Sequence, residues 1–167
     1  KSARPGLAHK TEAGGVVANI VDDAALGAAY RRMSDTLGGE VLIAPMIADG
    51  VEMLLGAKTD AQFGPVIVIG FGGVLAETLR DIVLAIPPRG AGDVRRLLNR
   101  LRLRPLLDGV RGRPAVDVDA FCECASRFSA LVVALGADLA EVDVNPVIVT
   151  ADGAVAVDAQ RLASVVD

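Results

Sequence analysis

The stretch AEVDVNPVIV, residues 140–149, constrains the fold most, because it is an apolar, strand-like run that carries polar residues at alternate positions. Side chains along a strand alternate between the two faces of a sheet. Glu141, Asp143 and Asn145 therefore share one face, and the intervening valines occupy the other. A second apolar run follows after the segment TADG. Two such runs joined by a short loop predict a β-hairpin.

The position of the hairpin turn decides how Asp158, just beyond the second run, meets the first strand. With a loop at Ala151-Asp152, Asn145 lies directly opposite Asp158. With the turn centred on Asp152-Gly153, Asp158 becomes a diagonal neighbour on the same face, and a β-bulge would break this alternation. Oxygen ligands gathered from two strands suit Mg²⁺, which commonly takes one or two carboxylates together with substrate phosphates. The alternative is a solvated sheet face.

Composition indicates one aliphatic domain and disfavours some classes of function. The chain has 167 residues, is 52% hydrophobic, and contains no Trp and one Tyr. A net charge of −4 argues against a dedicated nucleic-acid surface, and no apolar run reaches the length expected of a membrane span. Cys122 and Cys124 point in different directions on a predicted helix, so we expect no disulfide and a cytoplasmic location. The chain has no initiating Met and is expected to be a fragment.

Periodicity and end signals predict a mixed α/β layer pair, in which strands, then helices, then strands form one compact body. The strands are expected at residues 16–21, 41–47, 51–59 and 65–70 and in the terminal hairpin. The helices are expected from a cap at Asp22 or Asp23 to Gly38-Gly39, over Val74–Leu79, after a cap at Asp93, and from about 118 to 135.

The turn GFGG, residues 70–73, follows a predicted buried strand. A dinucleotide fingerprint would need glycine where Leu75 stands, and no GxxxxGK[ST] motif occurs, so neither a Rossmann site nor a P-loop is predicted. Backbone N–H groups in such a turn can still bind phosphate. The alternative is a tight turn without a ligand.

Two isolated polar residues are further candidates. His9, the sole histidine, lies in HKTEAGG, where a neutral imidazole could carry a phosphoryl group. The alternative is an ordinary loop or core histidine. Glu52 shares a predicted strand face with Leu54 and Gly56, so it is either a buried carboxylate that needs a cation or a surface charge.

Four motifs, taken in order, resemble one known family. They are GLAHKTEAGGV, APMIADGVEMLLGAKTDAQFGPVIVIGFGGVLAE, DGVRGRPAVDVDAF and AEVDVNPVIV followed by GAVAVDA. Together they are similar to the ATP-grasp region of NDP-forming acyl-CoA synthetases, which are relatives of succinyl-CoA synthetase β subunits. The resemblance implies an α/β (α+β), ATP-grasp-like fold, the larger C-terminal subdomain, with a mixed or antiparallel sheet flanked by helices.

The resemblance also implies a reaction and roles for matching residues. The reaction is reversible formation of acyl-CoA from a carboxylic acid, CoA and ATP, with release of ADP and phosphate, through an acyl phosphate and a phosphohistidine. His9 matches a second phosphoryl relay, and Asp143 the acid that meets the incoming phosphohistidine segment. Asn145 and Asp158 match Mg²⁺ positions. The positions that match ATP/ADP-binding residues are Ala44, Pro45, Met46, Glu52, Gly72 and Gly73.

The resemblance leaves parts of such an enzyme to be supplied elsewhere. The small ATP-grasp subdomain, with its phosphate-binding lysine, is expected before residue 1, and Lys1 is interpreted as a remnant of it. A CoA-binding domain or subunit that carries the principal phosphohistidine is the expected partner, so the chain alone is expected to be a poor catalyst, and an oligomer is expected. Ala44 stands where glutamine is common, so adenine is expected to meet backbone only. The alternative function is a regulatory synthetase-like domain fused to a protein acetyltransferase.

Overall fold

The computed structural model describes residues 1–4, 6–7, 10–73, 78–110 and 112–163. These residues divide between two compact units, Lys1–Ile47 and Ala48–Asp167. The layer pair expected from the sequence is found within the second unit.

The first unit is built around helix α1, Asp23–Leu37, as the end signals predict. The Asp22 carboxylate accepts a hydrogen bond of 2.7 Å from the Ala25 N–H and so caps the first turn. Gly38 ends the helix with a φ of +96°, a conformation that glycine adopts without strain. Ala29 and Met33 form the buried stripe.

Two strands predicted in the first unit are absent, and this part of the prediction is wrong. Residues 16–21 form no strand: Asn19 has a φ of +57°, which interrupts an extended run, and Val21 is 86% exposed. In 41–47, Val41 makes one isolated bridge to Ser2 and no ladder follows. Beside this bridge, the Leu42 N–H donates to the Lys1 carbonyl oxygen at 2.7 Å, but the pairing extends no further, so the segment stays irregular.

The second unit contains an antiparallel sheet of six strands among the residues described. The order is β3-β2-β1-β4-β5, and β6 also pairs with β4. Edge strand β3 was not predicted, because its four residues are too short to show a period. The strands are β1 Val51–Asp60, β2 Gly64–Phe71, β3 Ile82–Ala85, β4 Leu139–Thr150, β5 Gly153–Ala156 and β6 Ala159–Ala163.

Helices cover one face of this sheet. Helix α2, Ala91–Leu98, has Gly90 and not Asp93 at its N-cap position. The Asp93 carboxylate instead pairs with Arg96 inside the helix. Helix α3, Val118–Leu135, has the predicted bounds and packs on β1, β2, β4, β5 and α2. Short 3-10 helices at Arg104–Asp108 and Gly136–Asp138 complete the connections.

The core lies between α3 and the sheet. One face of each central strand supplies it, including Met53 and Leu55 from β1 and Ile67 and Ile69 from β2, all 1% exposed or less. Phe121 of α3 is 1% exposed and packs in the same cluster. Burial of such side chains is the main stabilising term for a sheet of this size.

One helix differs from the expectation that no apolar run is as long as a membrane span. Val118–Asp138 has a mean hydropathy of 1.4 and is long and apolar enough to cross a membrane, judged by length and composition alone. This is weak support for a span, since core helices of soluble proteins pass the same test. Here 33% of the apolar window is buried, in the stripe of α3 that contacts the sheet.

We predict that the cap of α3 is worth about 1 kcal/mol to the free energy of unfolding. The Asp117 carboxylate accepts a 2.9 Å hydrogen bond from the Ala120 N–H. Asp117→Ala should lower the urea midpoint of unfolding, whereas Asp117→Asn, which keeps an oxygen acceptor, should retain most of the stability. Equal losses in the two variants would contradict the role of the cap.

Candidate functional site

The terminal hairpin has the first of the two predicted registers. Thr150 pairs with Gly153 across a turn at Ala151-Asp152. The same register continues past the break between β5 and β6, where Val144 pairs with Ala159. Asn145 is therefore opposite Asp158, and the Asn145 N–H donates to the Asp158 carbonyl oxygen at 3.2 Å. The prediction that these two residues meet across the hairpin is confirmed for the backbone.

A β-bulge lies at the predicted site. Strand β1 pairs with β4 in one register up to Met53–Val147 and in another from Leu55–Val144, so Asn145 and Pro146 together oppose Leu54. The bulge exists on the β1 side only, because the β5 and β6 pairings are in step on the other side. Pro146 cannot donate a ladder hydrogen bond, which suits it to this position.

The bulge changes which residues of β4 face the helices. Between the register shift after Leu139 and the bulge, Val142 is the buried residue, and after the bulge Val147 and Val149 are, both 0% exposed. Asp143 accordingly lies on the sheet face that points away from α2 and α3. Glu52 of β1 lies on the same face, because Met53 and Leu55 of that strand face the core. Bulges next to functional sites commonly re-aim a side chain in this way.

The glycine turn approaches the hairpin closely. A Cβ on Gly72 would come within 2.8 Å of the Met53 carbonyl oxygen and 3.0 Å of Asn145 Oδ1. The Gly72 N–H donates to the Glu52 carbonyl oxygen at 2.8 Å. Only glycine leaves this space free. The structure thus brings Gly72 and Asn145 together, although 73 positions separate them in the sequence.

Glu52 is exposed, which agrees with the surface-charge alternative and not with a buried carboxylate. Its side chain lies against the glycine turn, where a Cβ on Gly73 would overlap the Glu52 carboxylate. Gly73 also has a φ of +59°, which disfavours any other residue. The Glu52 carboxylate and the two glycines therefore form one continuous surface where β1 begins and β2 ends.

Asp143 has the clearest electrostatic perturbation of the site. Half-burial raises the pKa of its carboxyl group, and the negative charges of Glu141 and Asp158 raise it further. Gly56 pairs with Asp143 across β1 and β4, and a Cβ on Gly56 would be in ordinary van der Waals contact with Asp143 Oδ1, at 3.8 Å.

The donor set at Asn145 and Asp158 fits a hard cation. Amide and carboxylate oxygens are ligands that Mg²⁺ takes, and Mg²⁺ completes its shell with water and substrate phosphate. Among the described residues, no group of three or more His, Cys, Asp or Glu side chains is placed to hold a metal ion. The residues present therefore suit a cation that arrives with a phosphate ligand better than a protein-enclosed one.

The other predicted residues belong to the first unit. His9 lies outside the described residues. The segment after it forms a tight turn in which the Gly15 N–H donates to the Lys10 carbonyl oxygen at 2.7 Å. Ala44, Pro45 and Met46 are exposed and form no strand, and the boundary between the two units follows Ile47. Their roles stay predictions.

A cleft elsewhere in the second unit contains none of the predicted residues. It has a volume of about 350 Å³, lies between β3 and α2, and is lined mainly by Arg89, Arg96 and Arg100. The candidate site is instead a sheet face with a glycine turn at its end. The cleft therefore does not coincide with the candidate site of this unit. The close approach of Gly72 to Asn145 marks that site instead.

Comparison with known proteins agrees with this geometry. The sequence profile of the ATP-grasp domain family matches residues 1–161. The chain belongs to this family, and within it resembles the part found in CoA ligases. Trans-feruloyl-CoA synthase FCS1, from an unidentified prokaryote, is 40% identical over 173 residues, which cover 97% of this chain and 24% of that protein.

Two further relatives come from Pyrococcus furiosus and Nitrosopumilus maritimus. The β subunit of ADP-forming acetate–CoA ligase I from Pyrococcus furiosus is 31% identical over 172 residues, which cover 97% of this chain and 73% of the subunit. The 4-hydroxybutyrate–CoA ligase (ADP-forming) from Nitrosopumilus maritimus is 34% identical, and the match covers 92% of this chain and 23% of that ligase. The chain thus spans about a quarter of the single-chain relatives named here.

A solved structure shows the same fold. Acetyl-coenzyme A synthetase 1 from Ca. Korarchaeum cryptofilum, in complex with coenzyme A and Mg-AMPPCP, superimposes with a TM-score of 0.85 at 32% identity. The match covers 98% of this chain and 75% of that one. In that structure the phosphohistidine segment points towards the nucleotide-binding site. The expected ATP-grasp-like fold is confirmed.

The electrostatics of Asp143 predict a dependence of stability on pH. Because folding raises the pKa of this carboxyl above its ordinary value of 3.8, the folded state binds the proton more tightly. This contribution to stability is present at low pH and is lost as pH rises from the ordinary pKa through the raised one. Asp143→Asn should therefore have a higher Tm than wild type at pH 7, and the difference should shrink towards pH 3.

Melting curves across this range test the assignment. Glu141→Gln is the control, because it removes one of the two neighbouring charges and keeps Asp143. It should raise the Tm at pH 7 by a smaller amount. A Tm difference for Asp143→Asn that does not change with pH would contradict the assignment.

Proposed function

We propose that this chain is the nucleotide- and Mg²⁺-binding module of an ADP-forming acid–CoA ligase. The complete protein would convert a carboxylic acid, CoA and ATP to acyl-CoA, ADP and phosphate, reversibly, through an acyl phosphate and a phosphohistidine. The relatives named above are CoA ligases, which supports the enzyme over the regulatory alternative. A cytoplasmic setting follows as a further proposal, supported by two free cysteines.

The approach of the glycine turn to the hairpin is the observation that carries the proposal. Gly72 and Gly73 leave open backbone beside Asn145 Oδ1 and the Glu52 carboxylate. Backbone N–H groups in such a turn bind phosphate oxygens, and an adjacent amide and carboxylate suit the cation that accompanies them. Without a cation, Glu52 and Asp158 would repel a nucleotide phosphate.

Each residue then has a defined role towards the nucleotide. Asn145 and Asp158 would hold Mg²⁺, and Gly72 and Gly73 would face the phosphates. The exposed backbone of 44–46 would meet adenine. Bound Mg²⁺ supplies charge that offsets the phosphate oxygens during phosphoryl transfer.

The roles of Asp143 and His9 concern the partner domain. Asp143 would face the phosphohistidine segment of a CoA-binding domain or subunit, as an acceptor for its imidazole N–H. His9 would take the phosphoryl group from that segment, with cleavage of one P–N bond and formation of another. Transfer to ADP would then break the P–N bond of His9 and form the P–O bond of ATP.

The metal role of Asp158 predicts a selective loss of nucleotide binding. Asp158→Asn should weaken Mg-ADP binding to the complete protein by roughly 10- to 100-fold, because a contact to a charged group contributes about 1.5–3 kcal/mol. Titration calorimetry with and without Mg²⁺ measures the effect. The Tm should not fall, since Asn keeps the size of the side chain and removes a negative charge next to Asp143.

Asp152→Asn is the matched control, because Asp152 is an exposed aspartate in the turn of the same hairpin. It should bind Mg-ADP as wild type does. Equal affinities for the Asp158 and Asp152 variants would rule out Asp158 as a metal ligand.

The relay role predicts a labelled intermediate at His9. The complete protein, supplied with ATP labelled in the γ-phosphate, should carry acid-labile label on a peptide that contains position 9. His9→Ala should lose that label and acyl-CoA formation while still binding Mg-ADP. Full turnover by His9→Ala would show that this residue is an ordinary loop histidine.

A further inference from the structure

We propose that Asp81 is a positioning residue that holds the glycine turn of the nucleotide site in place. The inference rests on the proposed function, since it concerns the turn that would face the phosphates. Asp81 lies between that turn and β3, outside the set of residues that would touch nucleotide. Its side chain and its backbone bind two different parts of the second unit.

The side chain of Asp81 is fully used within the protein. It is 7% exposed, and each carboxylate oxygen accepts one backbone hydrogen bond. Oδ1 accepts from the Arg102 N–H at 3.0 Å, and Oδ2 accepts from the Leu103 N–H at 2.8 Å. A carboxylate with both oxygens bonded to fixed N–H groups has a well-defined orientation.

The backbone of Asp81 closes the base of the glycine turn. Its carbonyl oxygen accepts from the Phe71 N–H at 3.2 Å, one residue before Gly72. On the neighbouring residue, a Cβ at Gly70 would come within 2.5 Å of the same oxygen and 3.0 Å of Ile82 Cα. Glycine at position 70 therefore lets the two stems of the turn approach each other.

The Arg102–Leu103 segment is a firm support for this arrangement. It is flanked by Leu101 and Leu107, which are 4% and 1% exposed and belong to the main core cluster. Asp81 thus connects the core beneath the sheet to the turn at its end. Displacing the carboxylate should move the Phe71–Gly72 backbone, whose N–H groups bond within the protein, and with it the following residue Gly73, which would face the phosphates.

Asp60 provides a matched control elsewhere in the same sheet. Its Oδ1 also accepts two backbone hydrogen bonds, from the Gln62 N–H at 2.8 Å and the Phe63 N–H at 3.0 Å. It lies in the β1–β2 turn, at the opposite end of both strands from Gly72. Asp60→Asn therefore disturbs a carboxylate-bound turn of the same sheet without affecting the glycine turn.

The experiment compares Asp81→Asn with Asp60→Asn in the complete protein. At position 81, Asn turns an NH₂ group towards one of the two N–H donors, so Asp81→Asn should lose some thermal stability. At position 60, the Asn oxygen can still accept from both N–H groups, so Asp60→Asn removes only the charge. Only Asp81→Asn should weaken Mg-ADP binding, by about tenfold, as is typical when an outer contact that orients a binding group is lost. Hydrogen exchange should accelerate in a peptide covering residues 70–73 for that variant alone.

Gly70→Ala is a second test, which leaves the carboxylate intact and can be used if Asp81→Asn does not fold. The added Cβ would displace the Asp81 carbonyl oxygen and should also weaken Mg-ADP binding. Wild-type affinity in a folded Asp81→Asn or Gly70→Ala protein would overturn the positioning role. Wild-type protein that binds no Mg-ADP would instead overturn the proposed function.

Discussion

The pairing of β1 with β4, and the bulge within it, determines which side chains reach the core and which reach the candidate site. Both strands are central in the sheet, and each places one face against α3. At Asn145-Pro146 the buried series of β4 changes from even to odd positions. Without that extra residue, either the core valines after the bulge or the polar residues before it would face the wrong way.

Glycines allow the close approaches that the candidate site requires. Gly72 lets Asn145 Oδ1 approach the turn. Gly70 allows the stems of that turn to meet. The polar side chains of the site therefore come from long strands, while the openings beside them come from residues with no side chain. A rigid sheet is a suitable support for groups that must be held in fixed geometry.

The acidic character of the site has a stability consequence. Glu141, Asp143 and Asp158 lie near one another, and half-burial adds to their mutual repulsion at Asp143, whose pKa rises as a result. A structure selected for stability alone would not gather these charges. Their arrangement is more readily explained by a cation or a cationic partner that compensates them, in line with the way perturbed carboxylates concentrate at functional sites.

The sequence by itself determined the elements whose signals are local. The bounds of α3, the end of α1 and the existence of the terminal hairpin all follow from patterns within a few residues. The structure chose between the two hairpin registers and the two caps that the sequence left open. The family resemblance likewise rests on short motifs in order. These features depend on caps, turns and alternation, which act over short separations along the chain.

Tertiary structure alone decided the features that depend on a partner distant in sequence. Residues 16–21 and 41–47 have strand-like composition but no ladder, while the short segment Ile82–Ala85 becomes a strand because β2 is beside it. The bulge and the approach of Gly72 to Asn145 likewise require β1 and β4 to be paired. Alternation along one strand predicts which residues share a face, but only the packed core fixes which strands are neighbours, because the burial that selects the pairing belongs to the whole sheet.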